Sequence, residues 1–203
     1  MCVEKGDNNI PFISGGSVGN CMKVTAFLGS PHRNGQSSRL ASAILEGAEE
    51  SGSEIKVHFL GSKNIKGCNG CYHCEKAREC IIKDDEMQEI YADMESSDAY
   101  VFASPVYFDH VTAQFKLFVD RIFPYYHEKP LKGKKAVFVL TYEENNAEIY
   151  GEIVDWFSGM IDVCHGIKVV DSLKVHGVVT QPVKDNPELL KKAKDMGRGL
   201  GQS

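Results

Sequence analysis

Apolar and polar positions alternate along this chain in two rhythms. KVTAFLG (23–29) is a short, nearly unbroken apolar run that stops at a glycine, the pattern of a strand buried on both faces. After the loop SPHRNGQ, the stretch 37–52 places Leu40, Ile44, Leu45 and Ala48 at helical spacing and ends at Gly52. The strand rhythm returns at 55–60, at 99–108, where Pro105 turns the run into a loop, at 134–142 and at 167–178. Between these runs, Asp85 and Gln88 read as a capping pair opening a helix to about Ser97. Residues 111–123 carry Phe115, Phe118, Val119 and Ile122 on one helical side, and about 146–164 reads as a further helix. Asn186 caps and Pro187 opens the last helix.

Strict alternation of strand and helix predicts an α/β fold with a parallel sheet and helices on both faces. Right-handed crossovers make it doubly wound, and ligands then bind beyond the carboxyl ends of the strands. The outlets after Gly29, Ser104 and Leu140 are therefore the places to look. The first 21 residues are polar and rich in Gly, Ser and Asn, with no period, and read as a flexible N-terminal extension; 22–203 reads as one domain.

Composition narrows the classes. With 203 residues, 42% hydrophobic and 25% charged, the chain can bury a core. A formal net charge of −5 does not suggest nucleic acid or an anionic membrane, and no apolar stretch nears the roughly 20 residues that span a bilayer. The N-terminus lacks a basic start and an apolar core, so the expectation is a cytoplasmic protein without a signal peptide. Seven cysteines in a reducing compartment point to metal or redox work rather than to a disulfide scaffold.

Four of those cysteines crowd the loop at 62–83. Cys68, Cys71, Cys74 and Cys80 follow C-x2-C-x2-C-x5-C, close to the runs that wrap one iron–sulfur cluster. Gly70 permits the tight loop. Zinc more often takes two separated C-x2-4-C pairs and is the second reading; an empty loop is the third. His73 reads as a solvent-side residue or a donor to sulfur. Cys2, Cys21 and Cys164 do not read as ligands, and Cys164 has the neighbours of a small core residue.

GSPHRNGQSS joins the first strand to the first helix. Its hydroxyls, two glycines and free helix N–H groups suit a phosphate, and Arg33 adds charge. It is neither a Walker loop nor G-x-G-x-x-G, so a monophosphate such as that of FMN fits better; an ordinary turn is the alternative. SPVYF places apolar and aromatic residues at the second outlet, where a planar ring could lie or a strand could simply end.

Taken together, GSPHRNGQSS, CNGCYHCEKARECIIKDD and SPVYF…KLFVDR resemble the iron–sulfur flavoprotein branch of the NADPH-dependent FMN reductase family, over 22–142 and more loosely beyond. The resemblance implies a flavodoxin-like fold with a five-stranded parallel sheet in the order 2-1-3-4-5. It implies non-covalent FMN and a [4Fe–4S] cluster on Cys68, Cys71, Cys74 and Cys80. A homodimer or homotetramer is implied too, with the flavin of one subunit near the cluster of its neighbour and electrons from a ferredoxin-like donor. By position, Ser30, Arg33, Gln36, Ser37 and Ser38 hold the phosphate, and Pro105, Val106, Tyr107 and Phe108 line the ring. The chain departs from the family where His32 replaces a frequent Arg and Gln36-Ser37 replaces a frequent Asn-Thr. Thr141 and Tyr142 either reach the flavin edge or end a strand. Asp109 and His110 either relay protons or open the next helix. The leading expectation is an electron-transfer flavoprotein, a flavin-dependent oxidoreductase. The alternatives are an NAD(P)H-dependent FMN or quinone reductase with a structural or vacant cysteine loop, and a redox sensor.

Overall fold

The computed structural model describes residues 21–202. The sequence therefore leaves most of the expected N-terminal extension, 1–20, outside the described residues. Five parallel strands form the sheet: β1 (Lys23–Leu28), β2 (Glu54–Phe59), β3 (Ala99–Tyr107), β5 (Lys135–Thr141) and β6 (Lys168–Val175). Their order is β2-β1-β3-β5-β6, and the two-residue β4 (His110–Val111) pairs with β3 alone, antiparallel. The five parallel strands thus stand in the expected order, with β4 as an addition.

The helices are α1 (Gln36–Glu50), α2 (His73–Ala77), α3 (Met87–Ser96), α4 (Ala113–Arg121), α5 (Gly151–His165) and α6 (Pro187–Leu200). Strand alternation sorts the core into two layers. Val24, Ala26, Leu28, Ala99, Val101, Ala103, Val137 and Val139 pack under α1 and α6. Phe27, Tyr100, Phe102 and Phe138 face α3, α4 and α5 with Phe115, Phe118 and Phe157. α1 and α6 approach each other closely through two glycines. A methyl at Gly197 would lie 1.8 Å from the Ile44 carbonyl, and one at Gly47 would lie 1.9 Å from that of Lys194. Gly197→Ala is expected to cost about 1–3 kcal/mol by overpacking. Gly199→Ala, whose methyl meets no heavy atom within 4 Å, should be neutral or stabilising. Urea midpoints of the two variants check this.

Three expectations shift. The helix read at 111–123 begins at Ala113, because Thr112 caps it by accepting the Phe115 N–H at 3.3 Å, and neither Asp109 nor His110 opens it. The helix read from about 146 begins at Gly151, after Tyr150 in the left-handed region. Asp85 accepts the Met87 N–H, whereas Gln88 donates to the Ile82 carbonyl instead of closing a capping box. Among the described residues, no helix is long and apolar enough to cross a membrane.

Candidate functional site

The outlet of β1 is clamped to the start of α4. The Gly29 N–H donates to Ala103 O, and the Thr112 hydroxyl donates to Gly29 O at 2.7 Å. A side chain at Gly29 would strike Phe115 Cβ at 2.7 Å, so only glycine permits the approach. The loop then turns on one carbonyl. Gly35 N–H, Ser30 Oγ and Ser38 Oγ all donate to His32 O, at 2.9, 3.1 and 3.1 Å. An oxygen with two lone pairs does not need three donors, so hydroxyl capacity is spare. Ser37 Oγ is buried with no partner. Arg39 makes the first backbone bond of α1, to Gly35 O, which leaves the N–H groups of Gln36, Ser37 and Ser38 facing the loop without an intrahelical acceptor. No acidic residue in the first turn offsets the positive helix end. Orphaned hydroxyl, spare donors and bare helix start fit a phosphate.

Two residues expected here point elsewhere. The Gln36 amide bridges to the 178–183 segment: it donates to Val178 O and accepts the Val183 N–H at 3.0 Å. Only its backbone N–H remains at the loop. Arg33 lies exposed over the Phe59 ring, 4.4 Å from its centroid, and donates to Ser62 Oγ.

At the second outlet, Pro105 and Val106 are half-buried and Tyr107 is exposed. β3 and β4 form a hairpin, Val106 against Val111 and Tyr107 against His110, with Phe108 and Asp109 as its two-residue turn. Both turn residues have positive φ, 48° and 62°, as such a turn requires. Phenylalanine is a poor fit there, and its ring is fully exposed, so packing among the described residues does not compensate the strain. Tyr150 holds the turn: its hydroxyl donates to Asp109 at 2.6 Å, and that bond pushes the phenol's pKa up. Asp109 is thus already engaged.

The third outlet separates its two candidates. Thr141 stands in register with Pro105, and its buried hydroxyl has no partner. Tyr142 turns into the core, donating to Asn146 O and packing edge-on to Tyr150. A cavity of about 540 Å³ joins the second and third outlets, walled by Val106, Tyr107, Phe108, Asp109, Glu143, Glu144 and Tyr150. Its acidic wall was not foreseen, because exposed glutamates after a strand carry no pattern.

Cys68, Cys71, Cys74 and Cys80 line one further cavity, of about 530 Å³, at the other side of α4. Gly70, Tyr72 and Arg78 all take positive φ, and α2, unexpected in this loop, carries Cys74. Cys68 and Cys71 are exposed, Cys74 and Cys80 half-buried, and His73 lies on the solvent side. Burial pushes the Cys74 thiol up, and the neighbouring Cys80, Cys68 and Cys71 add to it. Four such thiolates repel one another unless a positive centre sits between them. Among the described residues no three of these sulfurs come within 4.8 Å of one another, whereas one tetrahedral zinc would draw them to about 3.8 Å.

The cavity wall also includes Trp156, Met160, Cys164 and His165 from α5. Cys164 is half-buried at the cavity rather than in the core. Burial pushes His165 down to about 4, so it is neutral near pH 7. Trp156 reaches from this wall to His110 of β4, with ring centroids 4.8 Å apart. Trp156 thus links the wall of the cysteine cavity to the β3–β4 hairpin.

Comparison with known proteins bears on both sites. Residues 22–164 match the family described as NADPH-dependent FMN reductase. An "Iron-sulfur flavoprotein" of Archaeoglobus fulgidus is 37% identical over 90% of this chain and 80% of its own. One of the same description from Methanosarcina thermophila is 36% identical over 49% of this chain and 52% of its own, so the match spans about half of that relative's length. In fold, the chain is similar to a solved NAD(P)H:quinone oxidoreductase from Methanothermobacter marburgensis, with TM-score 0.68, 20% identity, and 89% and 96% of the two chains covered.

Proposed function

Since the chain belongs to the NADPH-dependent FMN reductase family, in its iron–sulfur flavoprotein branch, we propose that this flavin-dependent oxidoreductase is an FMN- and [4Fe–4S]-dependent electron-transfer protein that takes electrons from a ferredoxin-like donor. The observation that carries the reading is the convergence of Cys68, Cys71, Cys74 and Cys80 on one cavity that abuts the ring loop through Trp156 and His110. When bound, FMN would supply two-electron chemistry and the cluster one-electron exchange.

The chain's own residues supply binding and orientation. Ser30, Ser37 and Ser38, with the N–H groups of Gln36, Ser37 and Ser38, hold the phosphate. The Gln36 side chain braces the loop from behind, and Arg33 adds positive charge at its rim. Pro105, Val106, Tyr107 and Phe108 lie along the ring, with the unpartnered Thr141 hydroxyl at its edge. The four cysteines hold the cluster, and the apolar wall of Trp156 and Met160 limits water there. The exposed Phe108 ring, unsupported within this chain, favours a homodimer or homotetramer. Free thiols on this scale favour the cytoplasm.

Ser37→Ala separates a binding role from a structural one. Loss of one hydrogen bond to a charged group, about 1.5–3 kcal/mol, should weaken FMN binding about tenfold or more without changing iron content. The cofactor-free variant should be as stable as the parent or more so, because the buried Oγ has no partner there. Fluorescence titration with FMN and urea unfolding of the apoprotein read the two effects. Bleaching of the flavin by NADPH alone, without a protein donor, would instead support an NAD(P)H-dependent FMN or quinone reductase.

A further inference from the structure

Arg121 ends the KLFVDR motif and lies at the last turn of α4, yet it is 1% exposed. Its guanidinium donates to Lys66 O at 2.7 Å and to Ile82 O at 3.3 Å. Lys66 stands just before Cys68 and Ile82 just after Cys80, so one side chain fastens both ends of the cysteine window. The same two Nη atoms form a fork on Asp85, at 2.5 and 3.3 Å, inside a pair with no exposed side-chain surface. Asp85 also accepts the Lys66 N–H, which ties the fork to the loop a second time. Tyr91 donates to Arg121 O at 2.5 Å and holds the end of α4 in place.

Guanidinium has five N–H donors. Four are accounted for by Lys66, Ile82 and the two Asp85 oxygens. The fifth, on Nε, is buried with no partner. Arg121 and Cys80 both line the cysteine cavity.

We propose that Arg121 is a positioning residue of the cluster site: it closes the cysteine loop at both ends and offers its Nε–H to the sulfur of Cys80. The proposal rests on the cluster reading above and extends it to a residue outside the ligand set. Hydrogen bonds to ligand sulfurs stabilise the more negative, reduced cluster, so this donor raises the reduction potential as well as retaining iron. Tyr91 has a single hydroxyl proton, already given to Arg121 O, and acts by fixing Arg121.

The test compares the parent protein with Arg121→Lys, both prepared without air. Lysine keeps the charge but not the fork or the Nε–H. FMN content should be unchanged, since Arg121 does not touch the phosphate or ring loops. Iron release to a chelator should be about tenfold faster or more. The cluster's reduction equilibrium, followed by electron paramagnetic resonance, should shift toward the oxidised form by about tenfold, or about 59 mV for one electron. Parent-like iron release together with a parent-like potential would overturn the proposal while leaving the cluster reading intact. Absence of iron from the parent protein would overturn the cluster reading, and this proposal with it. Should Arg121→Lys fail to fold, parent protein labelled with ¹⁵N-arginine decides. A ¹⁵N hyperfine coupling to the reduced cluster supports the donor, and its absence overturns it.

Discussion

Cys74→Ala should lose its iron and acid-labile sulfide and keep its FMN. Cys74 is the proposed ligand whose surroundings are most marked: burial and the three neighbouring thiols together disfavour its free thiolate. An alanine there leaves a cluster with one uncoordinated corner and no nearby solvent-side cysteine in its place. Among the described residues Cys164 is the other thiol that borders the same cavity, so the measurement is best made in a Cys164→Ala background. FMN should remain because none of the residues that pin the phosphate loop, Ser30, His32, Gly35 and Ser38, belongs to the cysteine cavity. Iron analysis, sulfide analysis and flavin absorbance on one preparation suffice. Loss of FMN with the fold intact would show that the two sites are coupled rather than adjacent.

Asp85→Ala is expected to be the most destabilising single substitution considered, at about 3–5 kcal/mol, because it strands a buried guanidinium. By contrast, the exposed Lys116–Asp120 pair, four residues apart on α4, should be worth about 0.3–0.5 kcal/mol. The pH dependence follows from Asp85 itself. Burial acts to raise its pKa, but the hydrogen bonds from Arg121 and Lys66 outweigh burial and hold it below its ordinary 3.8. A carboxyl lowered in the folded state contributes stability that is complete above its unfolded pKa and is lost as pH falls through the folded one. The gap between parent and Asp85→Ala should therefore be flat from pH 5 to neutrality and shrink only below about 3.8. Urea unfolding of the cluster-free proteins at several pH values reads it. A gap that narrows between pH 7 and 5 would assign it to another group.

Much of this architecture was readable from apolar rhythm, for a physical reason. Strands covered on both faces become continuous apolar runs, and 23–29, 99–108 and 134–142 all read that way. The loop after β1 stood out as a candidate phosphate site because it sets hydroxyls and glycines together at a strand-to-helix junction. What stayed hidden lacked a period or broke a preference. β4 is two residues long, and its turn uses Phe108-Asp109 where Asn-Gly is the usual signal. Gln36 was read at the loop by position, but side-chain direction depends on the 178–183 segment, more than a hundred residues away. Arg121 drew no reading of its own beyond its place in KLFVDR. Its burial depends on Asp85 and on carbonyls at 66 and 82, which no local pattern announces.

The proposed electron-transfer role depends on the cluster. Protein purified and kept without air should show flavin bands over a broad cluster shoulder, with about four iron and four acid-labile sulfide per chain beside one FMN. Flavin bands with no iron and no sulfide in the same anaerobic preparation would contradict it.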